Sequence, residues 1–189
     1  MALTAIGLCN RALVKLGAAP IGGFEDGTAE AETAGALYEA TRDGLLSAHP
    51  WSFARRQATL ARLTEVPVAD YAYGFALPAD FLAALSAGGS GAGRGLVNRI
   101  AGQSLQADSE AVILTYLGRV DEAGFPPVFA AALAARLAAE FCLPLTESTA
   151  RASALHQLAD QEFRRARLID GQQDTRTGFD RYSLIEARN

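Results

Sequence analysis

Two histidines, two cysteines and 21 acidic residues are the side chains that could carry catalysis or hold a metal. His49 opens the stretch HPWSFARR, which also holds the only tryptophan, Trp51, and two arginines. A nucleophile–base–acid set needs a histidine close to a serine or cysteine in space. Neither His49 nor His156 carries a supporting motif: there is no G-x-S-x-G and no cysteine-protease signature. Metal chemistry has no better footing, with no HExxH, no CxxC and no acidic loop spaced like a calcium hand. The pairs Glu25/Asp26 and Asp121/Glu122 sit in turn-like segments and read as solvated loop acids. A glycosidase needs two facing carboxylates, and no spacing here selects a pair. No catalytic residue, cofactor or metal ligand is therefore assigned.

Two further stretches invite a functional reading. SAGGSGAGRG, residues 86–95, contains a G-x-G-R-G run. A phosphate loop follows a strand, opens a helix and brings a lysine or a ribose-binding acid. This run is followed by the strand-like GLVNRI and has no lysine, so it reads as an exposed flexible loop. WSFARR could stack and hold single-stranded nucleic acid through Trp51, Arg55 and Arg56. The net charge of −4 and the pI near 5.2 argue against a surface built for that. The competing reading buries Trp51 and Phe53 against helices and turns the arginines to water or a neighbouring subunit. On it, His49, Pro50, Trp51 and Phe53 form a structural joint. His49 is then a helix-end residue near the last carbonyls, where a histidine is favourable.

The elements that position these residues follow from periodicity and turn chemistry. Thr4 can cap a first helix whose Ile6, Cys9, Leu13 and Leu16 share a stripe, with Gly17 just past its end. A second helix spans about 28–48. Glu30 and Glu32 lie in its first turn, and Ala34, Leu37, Tyr38, Thr41, Leu45 and Ala48 are its expected buried face. Pro50 stops it. Between 53 and 120 the period changes to β-formers and short segments, which predicts a small, mostly antiparallel sheet. Helical periodicity returns at Pro126 and Pro127, ends at Pro144, and resumes in a fourth helix from about Ser148 to Gly171. The last segment, GQQDTRTGFDRYSLIEARN, is polar with sparse apolar anchors, a composition that orders on a partner rather than alone.

The fold expected is α+β and mainly α: a four-helix bundle with a small antiparallel β insertion between helices two and three and an extended C-terminal tail. Residues 1–170 form one domain, with the bundle in 1–52 and 125–170, the insertion at about 53–120, and the tail at 171–189. Cys9 and Cys142 lie among apolar residues and read as buried free thiols. The N-terminus lacks a basic leader region and is interrupted by Arg11 and Lys15, so it does not read as a secretory signal. The apolar run 128–139 contains Arg136 and is too short to span a bilayer, and synthesis in the cytosol is expected. Only Lys15 is a lysine among the 17 basic residues. Such a bias suits forked contacts at interfaces and equally follows from the base composition of a gene.

The order of segments adds a further reading. IGLCNRALVKLGAAPIGGFED is followed by LYEATRDGLLSAHPWSFARRQATLA, then YAYGFALPADFL, then GLVNRIAGQSLQADSEAVILTYLGRVDEAGFPPVFAAALAARLAAEFCLPLT. In this order and at these separations the series resembles the head-to-tail adaptor, or connector, proteins of tailed bacteriophages and gene transfer agents, the tail tubular protein A-like family. The region after LPADFL carries less strand-like sequence than that family's pattern. The resemblance implies a non-enzymatic structural protein that forms a ring, usually twelvefold, below the portal. Its partners would be the portal protein, a tail or tail-terminator (stopper) protein, its own copies, and DNA passing through the channel without sequence-specific binding. No membrane is implied, and its place would be the portal vertex of a virion or phage-like particle, after synthesis in the host cytoplasm. Position and exposure single out Arg164, Arg165 and Arg167 of helix four as portal or subunit interface residues. Phe179, Arg181, Tyr182, Leu184 and Ile185 of the tail join them. Two alternatives stand beside this: a wall-degrading hydrolase acting at genome entry, and a nucleic-acid-binding module.

Overall fold

Thr4 and Thr28 each start a helix. Their hydroxyls accept the backbone N–H groups of Gly7 and Ala31 at 3.1 and 3.2 Å in a computed structural model, which describes residues 3–89 and 93–172. The first helix, α1, spans Ala5–Leu16, and Gly17 ends it in the left-handed conformation (φ 66°) that a residue without Cβ adopts freely. The second, α2, spans Ala29–Ser47, with Glu30 and Glu32 at the positive end of its dipole. After the strand region come α3, Pro127–Thr146, and α4, Thr149–Gly171.

The strands form two separate antiparallel sheets. In the first, β1 (Arg55–Thr59), β6 (Ile113–Gly118) and β3 (Phe81–Gly88) lie in the order β1–β6–β3. In the second, β2 (Tyr73–Ala76), β5 (Ser104–Ala107) and β4 (Asn98–Ala101) lie in the order β2–β5–β4. Alternation sorts the faces of β6. Leu114 joins Phe75, Leu105 and Ala107 in a core shared by the two sheets, whereas Leu117 faces the helices and joins theirs.

This corrects the expected architecture. The chain is α+β, but it is neither a simple four-helix bundle nor a bundle carrying one small sheet. The reason lies in α3, which buries eleven residues on every side of its axis, Phe129, Leu133, Leu137 and Phe141 among them. A helix apolar all round acts as a hub. Each of α1, α2 and α4 packs against α3, while α4 makes few contacts with α1 or α2, so the outer helices do not close on one another.

Three local expectations also change. Residues 86–88 are not loop: Ser86, Ala87 and Gly88 pair with Thr115, Leu114 and Ile113 as the end of β3. Pro144 does not end α3, because it sits in the last turn, where the helix runs on to Thr146 and Glu147 closes it at φ 54°. At 20 residues α3 is long and apolar enough to cross a membrane by length and composition, and 61% of its apolar 18-residue window is buried inside the fold.

Candidate functional site

The joint after α2 is built from freed backbone groups. As α2 ends, its last carbonyls lose their helical partners. The Trp51 indole N–H donates to the carbonyl of Leu45 at 3.0 Å, and the Trp51 backbone N–H donates to that of His49 at 2.8 Å. The indole is fully buried. It meets Phe129 of α3 edge-on at 5.0 Å, Phe163 of α4 at 5.8 Å and Phe53 at 5.9 Å. Such ring contacts are worth about 0.5–1.5 kcal/mol each beyond the area they bury. One side chain thus ties three helices to the start of the first sheet.

Asp170, one residue from the end of α4, completes the joint. It is buried, accepts the Ser52 backbone N–H on both carboxylate oxygens at 3.1 and 3.2 Å, and accepts the Ser52 hydroxyl at 2.6 Å. His49 Nε2 lies 3.5 Å from the same carboxylate. Serine, histidine and aspartate therefore do meet in space, across a sequence separation that no motif search spans. Their wiring is not that of a nucleophile. A triad places histidine between serine and acid, whereas here the hydroxyl donates directly to the carboxylate and the histidine does not stand between them. Burial pushes the His49 pKa down, nearby Arg167 adds to this, and the pull of Asp170 does not overcome them, so the ring is neutral at pH 7.

A second polar chain runs from the helices to the sheet. The Tyr38 hydroxyl donates to Glu122 at 2.8 Å, Arg42 reaches both Glu122 and Asp43, and Arg119 grips Asp43 at 2.6 Å. Glu122 is thus not a solvated loop acid as its turn-like sequence suggests; its side chain is 21% exposed and spent on α2. Burial first, then Glu122, pushes the Tyr38 hydroxyl far up and the Cys9 thiol up to about 12, which leaves that thiol unreactive. Burial would raise the Asp43 carboxyl, but hydrogen bonds from Arg119 and Arg42 outweigh it and hold the pKa below its usual range. Asn10 is a third clamp, bonding both the carbonyl and the N–H of Ile21 at 2.8 Å.

Of the grooves on the surface, two flank α3. One, of about 500 Å³, runs between α2 and α4 over the α3 pair Arg136 and Glu140. The other, of about 540 Å³, lies between α1 and α3, against Ala131 and Ala134. At about 100° per residue the two α3 pairs point roughly 170° apart, so the grooves lie on opposite sides of the hub. The first groove explains a misread stripe. Leu37, Thr41 and Leu45 of α2 are only half-buried and Ala48 is exposed, because they line its wall.

The predicted interface residues fall in two groups. Arg164, Arg165 and Arg167 are exposed on α4. Arg164 donates to the carbonyl of Asp160, and the Arg167 guanidinium lies 5.6 Å from the Phe163 ring centre. Phe179, Arg181, Tyr182, Leu184 and Ile185 lie outside the described residues. His156 is half-buried on α4, away from the joint. Trp51, being buried, offers no ring face on which a base could stack. Arg56 pairs with Asp80 at 2.6 Å. Among the described residues no cluster of three or more His, Cys, Asp or Glu side chains is placed to hold a metal.

Sequence reasoning missed Ser52, Asp170, Asn10 and the Tyr38–Glu122 pair. One signal was available. An acid in the last turn of a helix opposes the dipole, so Asp170 needed a partner. The chain matches no protein-family model and no curated protein.

Proposed function

We propose that this protein is a structural adaptor that assembles in a ring below the capsid portal and joins it to the tail, leaving a channel for DNA. The observation that carries this is the pair of grooves on opposite sides of α3. A subunit in a cyclic assembly needs two different surfaces facing away from each other, one for each neighbour. The ordered series from IGLCNRAL to the α3 segment supports the same reading, and so does the Ser52–His49–Asp170 set, which serves packing. The exposed arginines of α4 suit contact with carboxylates of a neighbouring protein.

Electron microscopy and native mass spectrometry of the purified chain, alone and mixed with a portal protein from the same genome, test the proposal. Cyclic complexes on the portal are the expected result. A chain that stays monomeric and shows no portal affinity overturns it.

A further inference from the structure

The groove between α2 and α4 has an apolar wall and a charged rim. Leu37, Leu45 and Phe163 supply the wall. Ala40, Gly44 and Ala48 recur every fourth residue along α2, and a Cβ placed on Gly44 would meet nothing within 4 Å. On the rim, two carboxylates, Glu140 and Asp160, share the single guanidinium of Arg136, at 3.0 and 3.6 Å. Among the residues that line the groove, acids outnumber the one base, while Arg164 and Arg167 flank it on the α4 side.

On the other side of the molecule α1 presents the complement. Arg11, Val14 and Lys15 lie within about 100° of one another on the helix, facing away from buried Cys9, Leu13 and Leu16. Val14 is 67% exposed. Among the described residues neither Arg11 nor Lys15 enters an ion pair. The ridge from Gly7 to Lys15 is about 12 Å long, and the groove wall from Leu37 to Ala48 about 17 Å. The ridge is positive with an apolar centre, and the groove is negative with an apolar wall.

We infer that the groove between α2 and α4 receives the α1 ridge of a second copy of this chain. Val14 seats over Gly44, and Arg11 and Lys15 meet Glu140 and Asp160. Small residues on α2 let the ridge approach closely, as ridges-into-grooves packing requires. Because ridge and groove lie on opposite sides of α3, the contact is head to tail, so it propagates from copy to copy instead of ending at a dimer. This pairing rests on the ring reading for its closure, but not for its chemistry.

Engineered cysteines test it in the full chain, where native Cys9 and Cys142 are both buried. Val14→Cys changes an exposed residue and Gly44→Cys fills open space, so neither should disturb the fold. Under mild oxidation a mixture of the two single variants should give a covalent dimer joining one of each. A chain carrying both changes should give a ladder of larger species. Absence of mixed dimers, or Val14→Cys chains that mainly join each other, overturns the pairing. Reversing charge with Arg11→Glu and Lys15→Glu should lower the yield of mixed dimers by about tenfold at low salt, since rim charges act mainly on encounter. An unchanged yield also counts against the pairing. Portal-bound rings that form without this cross-link sink the pairing and leave the adaptor reading intact. A ladder without portal affinity does the reverse.

Discussion

Trp51 shows how much a single residue can decide. Truncating it to alanine removes an indole in ring contact with His49, Phe53, Phe129 and Phe163. It should cost about 3–5 kcal/mol, read from urea unfolding followed by circular dichroism. Loss of assembly should come with that loss of stability. Asp170→Ala strands the partly buried Ser52 N–H and should cost about 1–3 kcal/mol, with faster hydrogen exchange at the end of α4 as its local sign. His49 gives a pH dependence with a definite sign. Its folded pKa is depressed, so the unfolded chain binds more protons below the ordinary value near 6.5. Its contribution is present above that value and is lost as pH falls through the folded pKa. A melting temperature that declines on acidification from pH 6.5 to 5, with a shallower decline in His49→Gln, is the expected result. Asp43, held low by Arg119 and Arg42, acts in a separate and more acidic window. The residue types at the joint were legible in the sequence, but their wiring was not. Ser52 and Asp170 stand 118 positions apart, and only the fold brings them together.

At the level of elements, caps and breakers carried the legible part. Thr4, Gly17, Thr28 and Pro50 mark boundaries through backbone chemistry that acts within a few residues, and the helices begin and end there. The strands were harder. From Ser86 on the sequence reads as loop, yet FLAALSAG pairs along β6 to its end as β3, because a partner strand supplies what alanine and glycine lack. The register shifts within that pairing, between Phe81 and Ala83 and again between Ala84 and Ser86, are invisible to a period-two pattern. Likewise the α2 stripe was right at Ala34 and Tyr38, which are buried, and wrong at Ala48, which is exposed, since periodicity reveals an apolar face but not whether the same chain covers it. Gly118 tests the sheet directly. A Cβ there would stand 2.6 Å from an Asp80 carboxylate oxygen and 2.7 Å from Arg56 Cδ. Gly118→Ala should displace the Arg56–Asp80 pair and cost about 1 kcal/mol through overpacking, measured as a lower urea midpoint at unchanged slope.

For the whole molecule, the difference between a closed bundle and a hub governs what the protein can be. Four helices closing on one another would hide their apolar stripes. Three helices around α3 leave grooves between them, apolar surfaces that the chain itself does not cover. Gly44→Ala should then separate folding from assembly. It should stabilise the isolated chain by about 1 kcal/mol through helix propensity, as read by thermal melts. A bulky Gly44→Trp should fold and yet fail to self-associate in sedimentation. The buried indole at the centre of this arrangement has an optical consequence. Trp51 is the chain's only tryptophan, sealed from water, with the His49 ring edge-on at 4.7 Å. Its emission should be blue-shifted while the joint is intact and dimmed when the neighbouring imidazole takes up a proton. The protein therefore carries its own lamp at the point where helices and sheet meet, and opening of this joint can be followed in the unlabelled chain by watching it.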